Sequence, residues 1–199
     1  MVVIICPPYN LVFANSKEIT TNSDLQVKVT FETSDTNVSP YFDLGSTAVS
    51  LVKNIINAPP TGTYVAETAA SDSYALAKYI TRKVTLADGL SAKSLKVFVD
   101  QNMPAGATVE VYYRVINIQD ETDFADRPYV QMSRRQPSVT VNQDYTKYNE
   151  YEYYADNITY SQAGVAYDQF DAFSIKIVMY STSSAAAPTF RNFRAIALA

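Results

Sequence analysis

The chain has 199 residues, of which 47% are hydrophobic, 13% aromatic and only 18% charged, and its net charge is -4. This length and composition suit one ordered domain that buries a core. Because the chain has no histidine, nucleophilic catalysis of the Ser/His or Cys/His kind is excluded for the isolated chain. The single cysteine, Cys6, excludes an internal disulfide and a Cys/His zinc site. The basic residues form no cluster, which predicts no nucleic-acid partner.

The N-terminal part predicts short strands. The apolar start MVVIIC, residues 1–6, is too short to span a bilayer, so we expect a strand and neither a signal peptide nor a membrane segment. In DLQVKVTFET, residues 24–33, apolar and polar residues alternate with the period of a strand that has one buried face. The run STAVSLVKNIIN, residues 46–57, is apolar on both parities and predicts a strand or a short helix.

Residues 65–78, VAETAASDSYALAK, are rich in alanine and poor in β-branched side chains. This composition predicts either the one short helix of the chain or an irregular crossover.

The remaining segments alternate with a period of two. The predicted strands are KYITRKVTL (78–86), SLKVFVD (94–100), TVEVYYRVI (108–116), FSIKIVMYST (173–182) and TFRNFRAIALA (189–199). Short strands separated by turns, without alternating helices, predict an all-β, mainly antiparallel fold. We therefore expect a jelly-roll-like β-sandwich with at most one short helix, spanning residues 36–199 and preceded by an N-terminal arm with strands at 1–35.

The densest acidic stretch is QDETDFAD, residues 119–126. Oxygen ligands alone can bind calcium, and paired carboxylates can cleave glycosidic bonds, so both remain alternatives. The stretch lacks the glycine and the ligand spacing of an EF-hand loop, which favours a solvated loop. We therefore predict no catalytic, cofactor-binding or metal-binding residues, and a protein that is not an enzyme.

The tyrosine-rich stretch YTKYNEYEYYADNITY, residues 145–160, predicts a strand with two different faces. Tyr151 and Tyr153 share one parity and are expected to pack inward, whereas Glu150, Glu152 and Tyr154 share the other. We expect this stretch to serve packing and subunit contact rather than ligand binding.

Three segments together resemble a known domain: residues 37–57, NVSPYFDLGSTAVSLVKNIIN; residues 79–115, YITRKVTLADGLSAKSLKVFVDQNMPAGATVEVYYRV; and residues 170–198, FDAFSIKIVMYSTSSAAAPTFRNFRAIAL. They are similar to a domain of large virion structural proteins of contractile-tailed bacteriophages, notably those that infect cyanobacteria. The most specific positions lie in the middle segment: Pro104, Gly106, Val111, Tyr112, Tyr113 and Arg114. In that family the domain is a β-rich module near the end of a longer tail or baseplate polypeptide, and the resemblance implies no catalytic residues.

The resemblance implies a structural component of the virion that assembles with other virion proteins and with copies of itself, in the tail or baseplate. A charge-poor, tyrosine-rich chain suits this role, because interface cores are rich in tyrosine and poor in charge. The alternative is a receptor- or carbohydrate-binding module of a tail fibre that takes a host-surface glycan. Exposed tyrosines can stack on sugars, but the chain has no tryptophan. The candidate assembly and packing residues are Tyr112, Tyr113, Arg114, Tyr151, Tyr153 and Tyr154.

Overall fold

The computed structural model describes residues 2–5, 30, 32–41, 43, 48–51, 54–142 and 144–199. The chain divides into two compact units, Met1–Asn54 and Ile55–Ala199. The predicted boundary between residues 35 and 36 stays a prediction.

In the first unit, strand β1 (Val2–Ile5) pairs antiparallel with β2 (Ala48–Leu51). The strand predicted at MVVIIC is thereby confirmed, as is the strand alternative for residues 48–51. The strand predicted over 24–33 depends on Leu25, Val27, Val29 and Phe31, which lie outside the described residues.

The second unit contains two antiparallel sheets and a small hairpin. Sheet I consists of β3 (Ala77–Ile80), β4 (Val84–Thr85), β6 (Ala107–Ile116), β7 (Val130–Gln131) and β12 (Ala172–Ser181). Sheet II consists of β5 (Ser94–Asn102), β8 (Ser133–Arg134), β9 (Asn149–Ala155) and β13 (Thr189–Leu198). The hairpin joins β10 (Tyr160–Gln162) to β11 (Val165–Tyr167).

The strand order is β3-β12-β6-β7 in sheet I, where β4 also pairs with β12, and β13-β5-β9-β8 in sheet II. The core lies between the two sheets and is formed by odd-numbered residues of the four central strands. They are Leu95, Val97, Val99, Val109, Val111, Tyr113, Val115, Tyr151, Tyr153, Phe173, Ile175 and Ile177. Successive side chains of a strand point to opposite faces, so these residues form one apolar layer. The predicted all-β, mainly antiparallel sandwich is confirmed.

The turn between β5 and β6 depends on Gly106. Its φ is +78°, a conformation that favours glycine. A Cβ at this position would overlap Oγ1 of Thr182. The turn predicted between these two strands therefore has both a backbone and a packing reason for glycine.

The helix alternative for residues 65–78 is wrong, and the irregular crossover is observed. Residues 65–76 form turns and bends, and β3 begins at Ala77. Asp72 adopts a positive φ of 53°, and the backbone N–H of Ala75 donates to Oε1 of Glu67 at 2.7 Å. Local helix propensity is overridden because Glu67 turns inward to a buried partner on β12. Among the described residues, the helical structure is a 3-10 turn at Phe124–Asp126.

The predicted strand over 78–86 is two strands instead of one. It is interrupted at Thr81, whose backbone N–H donates to the carbonyl of Ile175 at 2.9 Å, while its hydroxyl accepts from the N–H of the same residue at 3.0 Å. β3 and β4 then pair with different parts of β12. A side-chain hydrogen bond thus replaces one step of the ladder.

Candidate functional site

The outer face of sheet I, which points away from the core, is covered along its central strand β12. We call residues 55–76 the covering segment. On β12 the outward residues Ser174, Lys176, Val178 and Tyr180 are all buried. Ala75 of the covering segment forms a second apolar cluster with Val178, Tyr180, Tyr112 and Tyr129. β12 is therefore buried on both faces, which is typical of a central strand between two layers.

A buried ion pair attaches the covering segment to β12. Nζ of Lys176 lies 3.2 Å from Oε2 of Glu67, and the two side chains are only 1% and 4% exposed. The same ammonium group donates to the backbone carbonyl of Glu67. The rings of Tyr129 and Tyr112 lie 4.2 and 5.1 Å from Nζ. The charge is thus enclosed by carboxylate, carbonyl and aromatic faces, which compensate for lost hydration.

The surroundings of the Glu67–Lys176 pair shift the pKa values of both members and of two neighbouring tyrosines. Burial alone would raise the pKa of Glu67, but hydrogen bonds from Ala75, Ser73 and Lys176 outweigh it, so the pKa lies below its ordinary value. Burial lowers the pKa of Lys176, and the Glu67 carboxylate opposes that shift. Burial also raises the pKa of Tyr112 and of Tyr180, and neighbouring carboxylates add to both shifts. Both phenols therefore stay protonated at neutral pH and can donate hydrogen bonds.

The outer face of sheet II, by contrast, meets solvent and carries alternating charges. Four ion pairs lie on it: Arg191 of β13 with Asp100 of β5 at 3.6 Å, Lys96 of β5 with Glu152 of β9 at 3.6 Å, Arg194 of β13 with Glu150 of β9 across β5, and Arg135, next to β8, with Glu152 at 3.3 Å. Cations and anions alternate along the face, so neither sign dominates it.

Aromatic rings lie beneath three of these cations. The guanidinium of Arg191 lies 4.1 Å from the ring of Tyr148, that of Arg135 lies 4.7 Å from Tyr154, and that of Arg194 lies 5.1 Å from Phe98. At one edge of the face, β13 exposes Ile196 and Leu198. Arginine and aromatic side chains are among the types enriched at protein interfaces.

The structure separates the six candidate residues into three places. Tyr113, Tyr151 and Tyr153 lie in the core between the sheets. There, Nε2 of Gln101 donates a hydrogen bond to the hydroxyl of Tyr153 at 3.0 Å. Tyr112 and Arg114 lie on the covered outer face of sheet I, and Tyr154 lies on the outer face of sheet II. Of the six, Tyr154 is therefore the one that lies on the solvent-facing side of sheet II.

The acidic stretch 119–126 is only in part a solvated loop. Asp120 is buried, and its Oδ2 lies 3.8 Å from Nη1 of Arg127. Burial alone would raise the pKa of Asp120, but hydrogen bonds from Thr122 and Tyr160 and the charge of Arg127 lower it. Asp123 caps the 3-10 turn by accepting from the N–H of Ala125 at 2.9 Å. In the part of the chain that the structure describes, no three Asp, Glu, Cys or His side chains are arranged to hold a metal.

Sequence reasoning missed the Glu67–Lys176 pair. One signal was present: Lys176 interrupts an otherwise apolar strand, FSIKIVMYS, and a lysine at such a position needs a partner. The partner is separated from it by 109 residues and was assigned to a helix or crossover, so its identity could not be predicted.

Over the described residues no helix is long and apolar enough to cross a membrane. No protein-family model matches the chain, and no curated protein matches it. Among solved structures, the chain is similar to one described as the structure of infectious bursal disease virus Gt strain. The TM-score is 0.30 and the identity 11%, over 90% of this chain and 40% of that chain. The chain thus spans less than half of that structure's chain, and similarity at this level does not assign a function.

Proposed function

We propose that the protein is a non-enzymatic structural component of a bacteriophage virion, in the tail or baseplate, that acts through protein–protein assembly. The choice of a virion rests on the three segments that resemble domains of phage structural proteins. The choice of assembly rests on the outer face of sheet II.

That face carries the main argument for assembly. It combines cations stacked on aromatic rings with exposed Ile196 and Leu198 on the edge strand β13. Burying the apolar part of this surface is favourable, since apolar area contributes about 25 cal/mol per Å² before ordering costs. The alternating charges would fix the register of a partner, because like charges placed opposite each other are destabilising.

The carbohydrate-binding alternative has weaker support on this face. A sugar stacks on a free aromatic ring, but guanidinium groups already lie over the rings of Tyr148 and Tyr154. A glycan would have to displace these arginines, and Arg135 is also paired with Glu152. The geometry therefore favours a protein partner over a sugar.

The absence of catalysis belongs to the same proposal. Its support is a chain without histidine and an acidic stretch whose buried member, Asp120, faces Arg127. A carboxylate held ionised in this way is a poor general acid at neutral pH, because it has no proton to donate.

A pair of matched variants tests the assembly role. Ile196→Glu places a charge on the outer face of sheet II, whereas Ile118→Glu makes the same change at an 85% exposed loop position. We expect wild type and Ile118→Glu to associate in sedimentation velocity and to be incorporated into tails, and Ile196→Glu to remain monomeric with an unchanged circular dichroism spectrum. A wild type that neither self-associates nor binds tail proteins would contradict the proposal.

A further inference from the structure

A cleft of about 220 Å³ opens beside the edge of sheet I, next to the β10–β11 hairpin. β6 continues to Ile116, but β7 pairs only with its residues Tyr112 and Tyr113. The register would place Val115 opposite Pro128, which has no N–H to donate. The ladder therefore stops at this point, and both Val115 and Pro128 line the cleft.

The charge in the wall of the cleft has one sign. Arg114 and Arg127 line it, and none of the lining residues is acidic. The polar side chains of Thr159, Ser161 and Gln162 complete the wall. Asp120 lies 3.8 Å from Arg127 but does not line the cleft.

Both arginines are held in place by contacts that leave donors unused. Nη1 of Arg114 donates to the carbonyl of Ala125 at 2.9 Å, and its guanidinium lies over Phe124 and Tyr129. Nη1 of Arg127 donates to Oε1 of Gln162 at 3.0 Å, and its guanidinium lies 4.0 Å from the ring of Tyr160.

One nitrogen of each guanidinium group lacks a hydrogen-bond partner. Nε of Arg114 and Nε of Arg127 are buried and have no hydrogen-bond partner. In the hydrogen bonds between described residues, only Nη1 of each group donates. The side chain of Arg127 is more than nine-tenths buried. Buried donors without partners are unusual in native proteins, and a ligand, an ion or ordered water can satisfy them.

We propose that this cleft binds a carboxylate of an acidic side chain on an extended segment of a partner protein. A carboxylate matches the fork of an arginine and accepts two parallel hydrogen bonds from it. The interrupted edge of β6 favours a peptide, because an extended chain can pair with the backbone where β7 stops. The choice of a protein partner rests on the proposed assembly function.

The test measures binding of blocked synthetic peptides to the purified full chain by calorimetry. The probe is a short acetylated and amidated peptide of alternating glutamate and valine, and its control has glutamine in place of glutamate. We expect the glutamate peptide to bind and the glutamine peptide to bind at least about tenfold more weakly, the usual effect of losing a charge-assisted hydrogen bond. Binding should weaken below pH about 4.3, where the peptide carboxylates become protonated.

Variants identify the cleft. Arg114→Gln should weaken binding of the glutamate peptide about tenfold, whereas Arg82→Gln, which removes an exposed arginine elsewhere, should leave it unchanged. Arg127→Gln alone would leave Asp120 buried without its cation, so the double variant Asp120→Asn/Arg127→Gln replaces it. This folded double variant should also bind at least about tenfold more weakly.

Equal binding of the two peptides, or full affinity in folded Arg114→Gln, would overturn the proposal. Binding of glucuronic acid without binding of the glutamate peptide would overturn it too, because the carboxylate would then come from a glycan. The failures are distinguishable: if Arg114→Gln still assembles into tails but wild type binds no peptide, the cleft proposal fails and the assembly function holds. If the peptide binds while the chain is absent from virions, the assembly function fails and the cleft proposal holds.

Discussion

The outer faces of sheet I and sheet II arise from the same alternation of residues, yet one is covered along β12 by residues 55–76 and the other meets solvent. On sheet I the ion pair Glu67–Lys176 is almost fully buried. On sheet II the pair Arg194–Glu150 is about half exposed on both sides. The two ion pairs therefore have different roles. Glu67–Lys176 attaches the covering segment to sheet I, whereas Arg194–Glu150 is part of the surface of sheet II.

The difference is energetic as well as geometric. Exposed pairs contribute about 0–1 kcal/mol, because water screens them. Removing one member of a buried pair costs about 3–5 kcal/mol, because the other charge stays buried without a partner. The covered face should therefore control stability, and the open face should control association.

The largest change in the free energy of unfolding is expected for variants in strand β9. One side of this strand lies in the core, and the other lies on the outer face of sheet II. Tyr151→Ala and Tyr153→Ala should each lower the free energy of unfolding by about 3–5 kcal/mol, because each leaves a cavity between the sheets. Tyr154→Ala should change it by about 1 kcal/mol or less. Urea denaturation measures all three. A stable, fully folded double variant of Tyr151 and Tyr153 would show that the assignment to the core is wrong.

The next prediction compares how much each of the two ion pairs contributes to the free energy of unfolding. Lys176→Ala should lower the free energy of unfolding by about 3–5 kcal/mol, whereas Arg194→Ala should lower it by no more than about 1 kcal/mol. The double variant Glu67→Gln/Lys176→Met should recover most of the loss, since no buried charge remains. Guanidinium denaturation provides the comparison, and similar costs for the two single variants would remove the distinction between the faces.

A smaller effect follows from the lowered pKa of Glu67. Because the pKa is lower in the folded than in the unfolded state, this carboxylate stabilises the fold above its unfolded pKa of about 4.3. That contribution is lost as the pH falls from there through the folded pKa. Thermal unfolding at pH 7 and below pH 4 should therefore show a larger decrease for wild type than for Glu67→Gln/Lys176→Met. Equal decreases would contradict the assignment.

Much of the fold was predictable because the alternation of apolar residues is local. Strands β5, β6 and β13 lie where the period of two places them. The covering segment was not predictable, because its structure depends on Glu67 meeting Lys176, a partner 109 residues away. Alanine content left a short helix and an irregular crossover open for residues 65–78, and tertiary contacts select the crossover.

The candidate site was predictable only in part. The parity of the tyrosines in β9 places Tyr151 and Tyr153 on one side of the strand and Tyr154 on the other. The structure shows this arrangement. Parity alone could not show that the outer face of sheet I is covered along β12. A strand that is buried on both faces and a strand that is exposed on one face can have similar patterns of apolar residues. The role of Arg114 in the cleft depends on Arg127 and on the end of β7, neither of which a local pattern reveals.

The most direct test of the account is a cryo-EM map of the intact virion at a resolution that shows side chains. We expect this chain in the tail or baseplate, with a neighbouring protein packed against the outer face of sheet II around Phe98 and Ile196. The covering segment should stay on sheet I. A particle without the chain, or one in which the outer face of sheet II meets only solvent, would contradict it.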